Sequence, residues 1–160
     1  MARAPHRSHL QLLAGALVMV VALLHLLHER AGFPRLVVLV SVGQPLLDPR
    51  PLAFTLLGTA LIVGVLATWN GYLDRRGAYL AGIVAMGVLL IGYVLWHLTG
   101  HGAFWPYHPG EAELHPGNPV VVILDHLRIN PWELASKVSE LTALALLGYL
   151  HATDDRRGRG

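Results

Sequence analysis

AYLAGIVAMGVLLIGYVLWHL, residues 78–98, is the stretch whose reading decides the fold. It runs twenty-one positions without a formal charge, and its only imidazole, His97, stands next to the end. At about 1.5 Å of rise per residue such a helix is roughly 31 Å long, which matches the hydrocarbon core of a bilayer. It reads as a transmembrane helix. Its exit is crowded with rings: Trp96, His97, His101, Phe104 and Trp105, then Pro106.

The rest of the chain agrees with a membrane setting. Of 160 residues, 54% are hydrophobic and 14% charged, in apolar runs longer than a small soluble core can bury. There is no cysteine, so disulfides, thiolate metal sites and thiol catalysis are excluded. Eleven arginines and one lysine leave a net charge of only +2, dispersed along the chain, which is no footprint for nucleic acid.

Working outward, residues 10–28 give a first span. A secretory signal would also begin with basic residues and an apolar run, but this run is long and no small-x-small cleavage site follows it. Asp48-Pro49-Arg50-Pro51 opens a second span over 52–70, with proline in the first turn, where its missing N–H does no harm. The third is 78–99. Asn130-Pro131 opens a fourth over 132–151, the least apolar, because Glu133, Ser136, Lys137, Ser139 and Glu140 fall in its first part. The pieces 36–46 and 119–129 are too short to cross and read as interfacial or re-entrant helices. The expectation is an all-α integral membrane protein, a single domain over 1–160, with four transmembrane helices and two short helices.

Arginines near the span ends set the orientation. Seven lie at the N-terminus, in the 70–77 turn and at the C-terminus, against four in the other two loops, so both termini are expected in the cytoplasm and loops 29–51 and 100–131 outside the cell membrane.

The halves 10–77 and 82–158 resemble each other. A shift of 72 lays His25 on His97, Pro34 on Pro106 and Phe33 on Trp105. Shifts of 82 and 81 lay Pro49, Leu52 and Ala53 on Pro131, Leu134 and Ala135, and Asp74-Arg75-Arg76-Gly77 on Asp155-Arg156-Arg157-Gly158. A tandem hairpin repeat, span, short helix, span, is expected, with parallel copies about an axis along the membrane normal.

That symmetry sets His25 and His97 at one depth facing a common axis. Two neutral imidazoles from neighbouring helices can ligate haem iron or a divalent metal, or hydrogen-bond a quinone or small polar solute; the plainer role is that of interfacial anchors. His28 follows His25 by one turn and His101 follows His97 by one turn, so each helix would present two imidazoles on one face if it continued, although Gly100 and Gly102 oppose this. His108-Pro109-Gly110 and His115-Pro116-Gly117 read as type II turns flanking Glu111 and Glu113, a set able to hold zinc or copper(II) or simply to shape a solvated lid. On the fourth span Glu133, Ser136, Lys137 and Glu140 share a stripe that must avoid lipid, with Lys137 between two glutamates and Glu140 the deepest carboxylate. Small residues spaced by four, Ala60 with Gly64, Ala78 with Gly82 and Ala81 with Ala85, are expected to pack the bundle.

No phosphate loop, serine elbow or paired hydrolase carboxylates appear, so no catalytic residue is assigned. The favoured function is binding at a site near the outer face, with His25, His97 and Glu140 as cofactor-binding residues and His28, His101, His108 and His115 as further metal ligands. The alternatives are an accessory or assembly subunit of a larger membrane complex and a transporter that works as a homo-oligomer. In each case the lipid bilayer is a partner.

Overall fold

The computed structural model describes the backbone of residues 5–101, 105–107 and 118–158, and the side chains of 9–101, 105–107, 118 and 120–154. The turns around His108 and His115 lie outside the described residues. Six helices follow in order: α1 (Pro5–Leu26), α2 (Phe33–Ser41), α3 (Pro49–Trp69), α4 (Arg75–Leu98), α5 (Pro119–Ile129) and α6 (Pro131–Gly158). No strand occurs among the described residues.

Local chemistry sets the boundaries. Asp48 caps α3 by accepting from the Arg50 amide at 3.0 Å, which starts that helix at Pro49 rather than 52. Asp74 accepts from the Gly77 amide at 2.8 Å and starts α4 at Arg75. That helix closes with Gly100 in the left-handed region (φ 71°) and the His101 amide donating to the Trp96 carbonyl at 2.9 Å, a Schellman ending. α2 stops at Ser41, short of the expected 46, because Gly43 turns left-handed (φ 72°) ahead of Pro45. α6, capped by Asn130 accepting from the Trp132 amide at 3.1 Å, continues past the expected 151 to Gly158.

Three helices are long and apolar enough to cross a membrane: 9–26 of α1, Pro49–Trp69 and Arg75–Leu98. α6, at 28 residues, is about 42 Å long, but Glu133, Lys137 and Glu140 lower its apolar character. Length and composition therefore support three candidate spans where four were expected.

α6 packs against α4 on one side and α1 on the other, and α1 packs against α3, whereas α3 and α4 touch far less. Val21, Ala22, Met86, Ala143 and Leu150 are fully buried between them. The exposed surface of the long helices is apolar, with Leu56 and Ile91 each 62% accessible, while Glu140 is 0% and Lys137 7% accessible. Polar inside and apolar outside is the distribution a hydrocarbon solvent selects. α3 and α4 do meet at one end, where the Arg50 guanidinium lies 4.0 Å over the Trp96 ring and Trp105 Nε1 donates to the Leu46 carbonyl at 2.8 Å. The small-residue pairs do not all pack as expected. A Cβ on Gly82 would sit 2.8 Å from Leu147 Cδ1, but one on Gly64 would meet nothing within 4 Å.

The turn from α1 to α2 depends on Gly32, where a Cβ would stand 2.5 Å from the His25 and Leu26 carbonyl oxygens and 2.8 Å from the His28 nitrogen. Backbone atoms cannot step aside as side-chain tips do. Gly32→Ala is therefore expected to cost about 1–3 kcal/mol, seen as a lower Tm by circular dichroism in detergent, while Gly64→Ala leaves the Tm essentially unchanged.

Candidate functional site

The candidate side chains gather where α1 and α4 finish and α3 and α6 begin, the histidine end. Three histidines there make the same local bond. Nδ1 donates to the carbonyl four residues back, Val21 for His25 (2.9 Å), Tyr93 for His97 (2.9 Å) and Val122 for His126 (2.8 Å). A carbonyl oxygen only accepts, so each Nδ1 carries hydrogen and the neutral ring keeps its lone pair on Nε2. Metal-binding histidines are commonly oriented in this way.

His97, His101 and His126 form a cluster in which one ligand nitrogen from each lies within 4.8 Å of the others. Ring centroids are 5.1 Å apart for His97 and His101, 4.6 Å for His97 and His126, and 5.4 Å for His101 and His126. His97 is buried in the last turn of α4, and His126 comes from the last turn of α5. His101 does not arrive by a continued helix. Among the described residues it is the only non-glycine with positive φ (54°), and this conformation folds its ring back onto His97. Left-handed backbone at such a residue costs roughly 1–2 kcal/mol, strain of the kind found at functional sites.

His25 enters a different group. Its Nε2 lies 3.4 Å from Glu140 Oε1, and its ring meets Phe54 edge-on at 4.6 Å. Glu140 also accepts from Lys137 Nζ (2.6 and 2.7 Å to its two oxygens) and from Ser136 Oγ (2.7 Å). With Nδ1–H committed to Val21, Nε2 is the ring nitrogen turned toward the carboxylate. Lys137 then leads back toward the other group, its Nζ 4.8 Å over the Tyr93 ring, which is 4.2 Å from His97. Glu133, expected beside Lys137, instead accepts from Tyr93 Oη (3.0 Å) and Asn130 Nδ2 (2.9 Å). His25 and His97 thus sit at opposite ends of one buried polar column rather than side by side.

His28 lies beyond the end of α1 and joins neither group. Its Nδ1 accepts from the Arg30 amide at 3.2 Å, and its ring meets Trp132 edge-on at 6.1 Å. Burial, then the nearby Arg50 charge, lowers its pKa below the ordinary 6.5. The sequence reading missed His126, because 119–129 was taken as a short apolar piece; the signal available was its Asp125, His126 and Arg128 run, polar in an otherwise apolar helix. No known protein family, curated protein or solved structure matches the chain.

Removing one member of the buried pair strands the other. Glu140→Leu is expected to cost about 3–5 kcal/mol by leaving Lys137 uncompensated, whereas Lys137→Met with Glu140→Leu recovers most of that. Denaturant unfolding in mixed micelles distinguishes the two. For His28, a lowered folded-state pKa means that the folded protein binds fewer protons than the unfolded chain as pH falls through about 6.5, so stability is greatest above that value and declines below it. His28→Gln should shrink the drop in Tm between pH 7.5 and pH 5.5.

Proposed function

We propose that this is a four-span membrane protein that holds one divalent first-row transition metal ion, zinc fitting best, through His97, His101 and His126 at the outer membrane face. The observation that carries the reading is the convergence of three imidazoles from separate segments, the end of α4, the turn after it and α5. Zinc–nitrogen bonds of about 2.0–2.1 Å set tetrahedral ligands roughly 3.3 Å apart, so the ring nitrogens close by no more than about 1.5 Å from their present spacing. Three neutral nitrogen donors suit a borderline ion, and they leave a fourth position for water or a small solute. Haem bridged between His25 and His97 is less favoured, since His25 faces Glu140.

The topology follows from the polar column. α6 is the fourth span, and it crosses with Lys137 and Glu140 turned inward and neutralising each other. With the arginine-rich end in the cytoplasm, the histidine end is external. A tandem origin is supported by the shared order of long, short and long helix in each half and by the matching Nδ1 bonds of His25 and His97.

The test is titration of chelator-treated protein with zinc or cobalt(II), followed by calorimetry and by the cobalt d–d spectrum. One equivalent should bind with a tetrahedral cobalt signature. His126→Ala and His97→Ala should each weaken binding by at least about 10–100-fold, the loss seen when even outer-shell partners of a metal are removed. Affinity should fall as the pH is lowered, because protons compete with the metal for the imidazole nitrogens. Substoichiometric binding, or binding indifferent to His126→Ala, contradicts the assignment.

A further inference from the structure

At the opposite end of the bundle the weak contact between α3 and α4 leaves a crevice of about 680 Å³, walled by α1, α3 and α4, with Leu147 and Asp154 of α6 at its margin. That volume falls within the roughly 300–1,000 Å³ of ordinary ligand sites. Its walls are built from the small residues that were expected to pack helices, among them Ala60, Gly64, Ala78, Ala81 and Gly82. Gly64 borders open space, since a Cβ there would meet nothing within 4 Å. The polar groups collect at one end, where Gln11, Arg75 and Asp154 line the mouth. Arg75 Nη1 donates to Gln11 Oε1 at 3.3 Å, so its bonded partner is a neutral amide rather than a carboxylate.

We propose that this crevice binds an anionic phospholipid, one acyl chain lying between α3 and α4 and the phosphate resting at Arg75. The chemistry of the occupant follows from the surroundings. Both flanking helices are candidate spans, so what can enter from the open side is hydrocarbon, and an apolar slot of this size is filled by a chain rather than by water. The head is anionic because the described backbone at this end, residues 5–9, 74–77 and 154–158, carries five arginines against three aspartates, an excess that complements a phosphodiester. The site is remote from the histidine cluster and independent of any metal, so its failure would leave the metal assignment standing.

The experiment is native mass spectrometry of protein released from nanodiscs of equimolar phosphatidylglycerol and phosphatidylcholine. Wild type should retain one phosphatidylglycerol in preference to phosphatidylcholine. Arg75→Gln should reduce that preference about fivefold, the effect of a single basic residue at an anionic lipid surface. Gly64→Leu, whose side chain points into the slot, should abolish retention of either lipid, while unchanged helicity and a cooperative thermal transition show that the variant is folded. Equal retention of both lipids by wild type, or unchanged retention in Gly64→Leu, overturns the proposal.

Discussion

The contact on which the arrangement rests is the buried ion pair of Lys137 and Glu140. An isolated charge in hydrocarbon is expensive, and α6 carries three charges in its first ten residues. Two of them close on each other at 2.6 and 2.7 Å and the third, Glu133, is satisfied by Tyr93 and Asn130, so the helix can lie among apolar neighbours. The pairing also fixes rotation. Turning Glu140 inward brings it against His25 of α1 and sets Lys137 over Tyr93 of α4, and the two long helices are thereby tied to α6 on either side.

From that constraint the two ends of the bundle acquire different characters. At the histidine end, polar contacts reach five of the six helices: Trp132 Nε1 donates to the Leu24 carbonyl at 3.0 Å, Arg50 covers Trp96, and α5 brings His126 to His97. Toward the other end α3 and α4 touch little, and the crevice opens there. A strict twofold relation between the halves would make the α1–α6 and α3–α4 contacts equivalent. They are not, because Glu140 and Lys137 have no counterparts in α3, where a shift of 82 places Gly58 and Thr55. Whatever the halves share, the polar column belongs to one interface and the apolar slot to the other.

Hydropathy and turn chemistry locate the six helices, with ends displaced by at most seven residues, because apolar runs, Asp48, Asp74 and Asn130 act locally and are visible in the string. The inward stripe on α6 is legible for the same reason, since 100° per residue places its members on one face. Two features of the site are not legible. The return of His101 onto His97 depends on a left-handed residue after a Schellman ending, which the glycines around it obscure rather than announce. The arrival of His126 depends on where a short helix docks, a tertiary matter with no spacing signal. Grouping Glu140 with the two histidines was legible from its depth on the stripe, but not that its carboxylate would face His25, 3.4 Å from Nε2. The small-residue pairs misled in a related way: close approach is permitted by glycine and alanine, but nothing in their spacing says whether a helix or a lipid takes up the room.

The central claim is that α6 crosses the bilayer with its charges turned inward, placing the histidine cluster on the face opposite the chain termini. Because the chain has no cysteine, a single introduced thiol reports its own location. The direct measurement is labelling of Tyr107→Cys and Thr153→Cys with a membrane-impermeant maleimide in intact cells. The account predicts that Tyr107→Cys is modified while Thr153→Cys reacts only after lysis; external labelling of both would place α6 outside the membrane and contradict it.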